Sequence, residues 1–285
     1  MKTSTLNGFG ARVDRVLRLI TDHLDEPLAL EQLAGAAVLS AFHFHRVWRA
    51  TMGEPIMETV RRLKLERAAH QLATTGTPIT QIALQSGFAS SQSFAHAFRQ
   101  VMGRTPSEVR AGGMSVIAPR PQPTRDAPMA VEIVSLDPFT IVAKRHLGPY
   151  TTGDLAATFG SVWAWATGQG LVSRFRGICG VPIDDPASVP AEEIRYDAGF
   201  DFGPDIRPGP GLHVVTFGGG QAARVRVLGS YAGLDAAHEY LYGTWFPASE
   251  RELADAPLFH RFHNDPDVTP EADLVTDVCL PLLSR

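Results

Sequence analysis

The feature that most restricts this chain is that each of its halves is written twice, because a repeated stretch folds as a repeated supersecondary unit whose copies share a core. In the N-terminal half, Gln32-Leu33-Ala34 returns as Gln81-Ile82-Ala83 at an offset of 49 residues. Ser40, Phe44, Trp48, Arg49, Met52 and Gly53 return as Ser90, Phe94, Phe98, Arg99, Met102 and Gly103 at an offset of 50. In the C-terminal half, Arg145-His-Leu-Gly-Pro-Tyr150 returns as Arg226-Val-Leu-Gly-Ser-Tyr231 at 81. Asp185-Pro186, Pro190 and Asp197 return as Asp265-Pro266, Pro270 and Asp277 at 80. The C-terminal unit reads as strand, strand ending in Leu-Gly-x-Tyr, helix, strand, Asp-Pro turn, strand. Two such units side by side predict a pseudo-twofold sheet with helices on one face and a ligand cleft between the halves.

The two halves differ in period. Over residues 17–110 the apolar residues recur at helical spacing, with glycine interruptions. Residues 112–128 then hold four prolines and two glycines, which forbid a continued helix and favour an extended spacer. Beyond it, β-branched and apolar runs at 131–134, 139–143, 213–217 and 223–228 alternate with helix-like segments near 153–168 and 233–243. The expected fold is therefore two domains: an all-α double helix-turn-helix domain over 8–111, a Pro-rich linker over 112–128, and an α+β domain over 129–285 with a pseudo-twofold duplicated β-α-β unit. At 285 residues and 44% apolar content, each domain has enough material for its own core.

Charge divides along the same line. The net charge of −4 hides 13 Lys+Arg against 9 Asp+Glu in residues 1–112 and 13 against 21 in residues 113–285, so the halves carry +4 and −8. A basic module beside an acidic one suits phosphate contact by the first. Cys179 and Cys279 have no metal-ligand spacing and read as two buried thiols. No stretch approaches a membrane span and no secretory signal is visible, so the expected location is cytoplasmic, with no membrane partner.

Each N-terminal unit has the parts of a helix-turn-helix: a short first helix, a tight turn, and a serine (Ser40, Ser90) placed to cap the second helix. Gly87 supplies the left-handed residue of the second turn, whereas the first has only Ala37-Val38. On the helix after Ser40, about 100° per residue puts Phe44, Val47 and Trp48 inward and leaves Phe42, His45, Arg46 and Arg49 outward. On the helix after Ser90, Phe94, Ala97 and Phe98 face inward, with Ser91, Gln92, Ala95, His96 and Arg99 outward. These outward sets hold the donors that read base edges in a major groove. The plainer readings are Phe42 as core, His45 and His96 as solvated residues, and Arg46, Arg49 and Arg99 as phosphate contacts that position without specifying.

This region resembles the AraC family of regulators over residues 10–110. The likeness rests on the Leu33-Ala34 and Ile82-Ala83 pairs, Ser40-x-Phe42-His43-Phe44-x-Arg46, Gly53, Pro78-Ile79, Gly87-Phe88, Phe94, Phe98 and Thr105-Pro106-Ser107. It implies double-stranded DNA as a partner, two recognition helices entering successive major-groove turns, and base contacts at Phe42, His45 and Arg46, then Ser91, Gln92 and His96. RNA polymerase is a candidate further partner.

The C-terminal half resembles the GyrI-like effector-binding domain over about residues 129–284. Arg145-His-x-Gly148-Pro149-Tyr150, Asp184-Asp185-Pro186, Arg195-Tyr196-Asp197, Tyr242-x-x-Trp245-x-Pro247, Asn264-Asp265-Pro266 and Thr276-Asp277-x-x-Leu280-Pro281-Leu282 carry the likeness. It implies a small-molecule effector, aromatic or lipophilic, in the groove between the repeats. Tyr150, Trp163, Trp165, Tyr196, Trp245, Phe259 and His260 are the candidate lining, with core packing as the alternative for about half of the aromatics. The family often has a carboxylate where this chain has His260, so a permanent counter-charge for a cationic ligand is not expected there. His260-x-x-His263 and His43-x-His45 have the wrong spacing for a metal on their elements, and no metal or cofactor is assigned. A hydrolase or a ligand-sequestering module is the alternative for this half. No nucleophile elbow or phosphate loop supports catalysis, so the chain reads as a regulator and not an enzyme.

Overall fold

The structure is a computed structural model that describes residues 3–113, 116–119, 121–122, 127–150 and 153–284. Within the expected linker, Met114, Ser115, Arg120 and residues 123–126 lie outside the described residues. Contacts divide the chain into two units, Met1–Ala41 with Met52–Pro123, and Phe42–Thr51 with Thr124–Arg285.

The first unit is helical. It contains α1 (Thr3–Asp22) and α2 (Leu30–Ala37); then, beyond α3 (Ala41–Met52), it continues with α4 (Ile56–Thr74), α5 (Ile79–Gln85), α6 (Ser91–Met102) and α7 (Pro106–Gly112). All but the end residues of α3 belong to the second unit. α1 packs on α2, where Arg15 Nε donates to the Ala36 carbonyl at 3.1 Å. Leu65, Ala68, Ala69 and Leu72 of α4 share one core with Ile82 and Ala83 of α5, Phe94, Ala97, Phe98 and Met102 of α6, and Val109 of α7. Arg110 fastens α7 by donating to the Leu72 and Thr77 carbonyls at 2.9 and 2.7 Å. A buried ion pair braces the start of α4: Arg62 Nη2 donates to Glu54 Oε1 at 2.7 Å, and Thr59 donates to the same oxygen at 2.9 Å.

The two helix-turn-helix turns solve one problem with different residues. After α5, Gly87 takes φ +82° without steric cost. After α2, the left-handed position falls on Val38 at φ +56°, whose N–H donates to the Gly35 carbonyl at 3.0 Å. A β-branched residue there is strained. Ser90 caps α6 by accepting from the Ser93 N–H at 3.1 Å, whereas the hydroxyl of Ser40, its counterpart, has no hydrogen-bond partner among the described residues.

In the second unit, β1 (Val131–Leu136), β2 (Phe139–Leu147), β3 (Gly177–Pro182), β4 (Arg195–Asp201), β5 (His213–Phe217), β6 (Gly220–Leu228), β7 (Phe259–Phe262) and β8 (Val275–Leu282) form one antiparallel sheet in the order β1-β6-β8-β7-β3-β4-β2-β5. Exchanging each strand for its repeat counterpart reverses this order onto itself, so a pseudo-twofold axis passes between β3 and β7. The first strand of each repeat is exchanged: β1 pairs with β6 and β5 with β2. α8 (Gly153–Gly168) packs on β2 and β4, and α9 (Gly233–Glu239) packs on β6 and β8. α9 runs on through a π-helical segment, Tyr240–Trp245, into α10 (Phe246–Ala248).

The residues that repeat in sequence have repeated jobs. Arg145 lies opposite Asp197 on the neighbouring strand and holds it by two bonds of 2.6 and 2.8 Å; Arg226 holds Asp277 the same way at 2.7 and 2.9 Å. Gly148 and Gly229 end β2 and β6 at positive φ, and their N–H groups donate to the Ile194 and Leu274 carbonyls. Phe139, Phe217 and Phe259 stack on the face away from the helices, and Arg261 lies over the Phe139 ring at 4.5 Å.

The turn geometry generates a paired expectation. Val38→Gly should raise thermal stability by about 1 kcal/mol, because it removes left-handed strain at a largely exposed side chain, and Gly87→Val should lower it by about 1–2 kcal/mol. Denaturant midpoints of the two variants check this; a loss in both would mean that the first turn carries no strain.

Candidate nucleic-acid and effector sites

α6 has one buried stripe, Phe94, Ala97, Phe98 and Met102, and its capping serine fixes where the helix begins. Gln92, His96 and Arg99 stand exposed on its other side, and Ser91 is half-buried. Two hydrogen-bonding side chains and a guanidinium on one face of a capped helix can present donors to bases and phosphates together.

α3 is placed differently. Phe44, Val47 and Trp48 are buried, as the apolar period requires, but Arg46 is only 5% exposed and His43 only 1%. Arg46 Nη2 donates to the Pro182 and Asp184 carbonyls at 2.8 and 2.7 Å. Arg49 Nε donates to Asp185 Oδ2 at 2.8 Å, and Arg49 Nη2 pairs with Glu239 Oε1. Burial works against the Arg49 charge, but Asp185 and Glu239 outweigh it and hold the guanidinium above its ordinary pKa. His43 lies between two partners, Tyr242 Oη at 3.1 Å from Nδ1 and the Ala254 carbonyl at 3.0 Å from Nε2. A carbonyl only accepts, so Nε2 carries the proton and Tyr242 donates to Nδ1. Of the positions expected to contact DNA on this helix, Phe42 stands exposed, His45 and Arg49 are half-buried, and Arg46 is covered.

These residues enclose a cavity of about 210 Å³, walled by Arg46, Arg49, Tyr150, Asp185, His238 and Glu239 among others. The repeat-1 wall is the Asp184-Asp185-Pro186 turn, with Tyr150 donating to the Asp184 carbonyl at 2.8 Å. Asp185 is itself fixed by the Ala187 N–H and the Ser188 hydroxyl, both at 3.2 Å. The repeat-2 wall is α9 and the π-helical segment. Burial pushes the Tyr150 phenol up and the Tyr242 phenol up to about 12, so both stay protonated donors.

Beneath the groove lies a chain of neutral rings. Tyr196 Oη and His260 Nδ1 are 3.1 Å apart, and His260 Nε2 lies 2.8 Å from His238 Nε2, the two imidazoles nearly parallel. Only one proton fits between the facing nitrogens, and burial pushes His260 down to about 3 and His238 well below its ordinary value. Gly180, opposite His260 on β3, makes room for this arrangement, since a Cβ there would fall 1.8 Å from Tyr196 Oη. His260 is therefore buried and stays neutral.

The expected effector residues divide into five places. Tyr150 lines the groove. Tyr196 and His260 lie buried in the ring chain next to it. Trp163 and Trp165 pack on the apolar cluster of Val142, Phe200 and Phe202 beside α8, and Phe259 belongs to the stack on the opposite face of the sheet. Trp245 stands half-buried at the end of the π-helical segment. The counter-charge not expected at position 260 is present in the groove as Asp185 and Glu239. Asp185 was legible as half of a duplicated Asp-Pro turn; Glu239, on a helix with no repeated motif, left no such signal.

Comparison with known proteins matches residues 33–112 to a helix-turn-helix domain family and residues 129–283 to the GyrI-like small molecule binding domain family. The chain is similar to the Regulatory protein SoxS of Salmonella typhimurium, with 33% identity over 98 residues, 34% of this chain and 92% of that one. It is also similar to the Right origin-binding protein of Escherichia coli, with 38% identity over 88 residues, 31% of this chain and 30% of that one. Among solved structures, it resembles the AraC-type transcriptional regulator of Chromobacterium violaceum, with 27% identity and a TM-score of 0.36 over 38% of this chain and 96% of that one. No helix of the described residues is long and apolar enough to cross a membrane.

The buried imidazoles set a pH dependence. His43, pushed down to about 4, and His238 and His260 are neutral in the folded chain but bind protons near 6.5 when unfolded. The unfolded state thus holds more protons below about pH 6.5, and stability should fall as pH drops from there toward 4, with unfolding taking up close to three protons from these groups. Denaturant titrations between pH 7.5 and about 4.5 measure that uptake; a flat profile above pH 5 would show the rings to be solvated.

Proposed function

The chain belongs to the AraC-type DNA-binding transcription regulators and carries a C-terminal GyrI-like small-molecule binding domain, and on that premise we propose which residues read the DNA and where the effector sits. Ser91, Gln92 and His96 of α6 contact bases, and Arg99 contacts phosphate. On α3, Phe42 and His45 contact bases; Arg46 reads a base and Arg49 contacts phosphate only once they leave the Pro182, Asp184, Asp185 and Glu239 oxygens that hold them in this structure. The effector, an aromatic or lipophilic small molecule, enters the groove at Tyr150, above Tyr196 and His260. The protein acts in the cytoplasm on double-stranded DNA, with RNA polymerase as its partner in transcription, and catalyses no reaction. The observation that carries this reading is the α6 face: exposed Gln92, His96 and Arg99 opposite a fully buried stripe, on a helix whose start is fixed by Ser90.

Site selection by the full chain from a random duplex library gives the cognate sequence for the test. Gln92→Ala should then cost about 1–3 kcal/mol on that site and relax preference at one base pair. Arg99→Ala should weaken cognate and random duplexes alike and reduce the salt slope by about one unit. Equal weakening by Gln92→Ala on every sequence would demote it to a positioning contact, and an unchanged salt slope for Arg99→Ala would remove it from the interface.

A further inference from the structure

A helix meant for DNA has its two arginines engaged elsewhere. Arg46 and Arg49, on successive turns of α3, occupy the groove in the manner of a bound ligand. One guanidinium is capped by the Pro182 and Asp184 carbonyls, the other by the Asp185 and Glu239 carboxylates. Planar N–H donors facing converging oxygens are the geometry a guanidinium site provides.

A second observation, independent of charge, points the same way. Gly243 stands inside the π-helical segment, where glycine is a poorer choice than alanine unless something needs its space. A Cβ at that position would lie 2.7 Å from the Ala50 carbonyl oxygen and 2.9 Å from the Ala50 Cβ. Position 243 is therefore shaped by the close approach of α3, and His43 completes the contact through Tyr242 and Ala254.

We propose that the groove between the repeats is a guanidinium site filled by the chain's own Arg46 and Arg49, so that α3 is held as an internal ligand and a molecule bearing a planar guanidinium or amidinium group frees it for DNA. The proposal rests on the reading of α3 as a DNA-contacting helix. In the held state neither arginine reaches a phosphate or a base. An effector that takes the same carbonyls and carboxylates shifts the balance by its preference for the vacated groove. The acidic lining selects for a cation, and Tyr150 gives its ring a surface to lie against.

The test has two arms on the full chain. In the first, Gly243→Leu expels α3 by bulk without altering an arginine or a carboxylate. Its affinity for a mixed-sequence duplex should rise about tenfold, and its salt slope should steepen by about two, one for each arginine released. Wild-type affinity and slope in this variant would overturn the proposal. In the second, calorimetry compares benzamidine with benzylamine, which has the same ring and charge but no planar fork. Benzamidine should bind the wild type more tightly than benzylamine does. It should bind the Arg46→Ala/Arg49→Ala variant and Gly243→Leu about tenfold more tightly than the wild type, because the groove is then vacant. Equal binding by the two cations would overturn the guanidinium assignment, and equal benzamidine affinity across wild type and variants would overturn the internal ligand. If no form bound duplex DNA, the DNA-contact reading of α3 would fall, while the calorimetry would still decide whether the arginines fill the groove.

Discussion

The second unit depends on the exchange of its first strands. Because β1 pairs with β6 and β5 with β2, neither repeat completes its own ladder, and the outermost strand of each half's core, β6 or β2, is covered by a strand from the other half. A strand left without its ladder partner would expose a row of unpaired donors and acceptors. The two repeats must therefore form together, and the short β3–β7 pairing at the axis is fixed from outside by the exchanged strands. The groove is a consequence of this arrangement. It lies between the Asp184-Asp185-Pro186 turn of the first repeat and α9 with the π-helical segment of the second.

What the axis leaves at its centre is little side-chain bulk and no charge. Gly180 opens the space, and Tyr196, His260 and His238 fill it with rings that hydrogen-bond in a chain. Burial keeps the imidazoles neutral, and neutrality lets a guanidinium lie close by without a like charge beneath it. The fixed charges line the groove, on Asp185, which is buried, and Glu239. The surplus of acidic residues in the C-terminal half thus has one local use, which is to face a cation in the groove.

Much of this was legible in the sequence, and what was not has a physical reason. The repeats were visible because Arg145 and Arg226, Asp197 and Asp277, and Gly148 and Gly229 each meet a backbone or ion-pair demand that only a few residue types satisfy. The order of segments was legible, but the strand exchange was not, since both pairings leave the same alternation of apolar residues along each strand. The turn after α2 was obscure because its left-handed residue is Val38, a residue type that rarely goes there. On α3 the helical period correctly separated Phe44, Val47 and Trp48 from Arg46 and Arg49. A period says which residues lie opposite the core stripe; it cannot say what else covers them.

The balance of forces on α3 explains how so buried a contact can be reversible. Arg46 gives up water for two neutral carbonyls, which repay less of its desolvation than carboxylates would. Arg49 has the carboxylates, but its side chain remains 28% exposed, so its pairing is weakened by solvent. The better-buried guanidinium has the weaker acceptors, and the better-paired one is partly wet. The directional bonds of both side chains fix a single register for the helix. Interactions of this type specify where a segment sits more than how strongly it is held. At Ala50 the helix meets Gly243 with no large side chain between them. A large hydrophobic anchor at that point would have committed the helix; a glycine and an alanine allow close approach and leave the outcome to the two arginines.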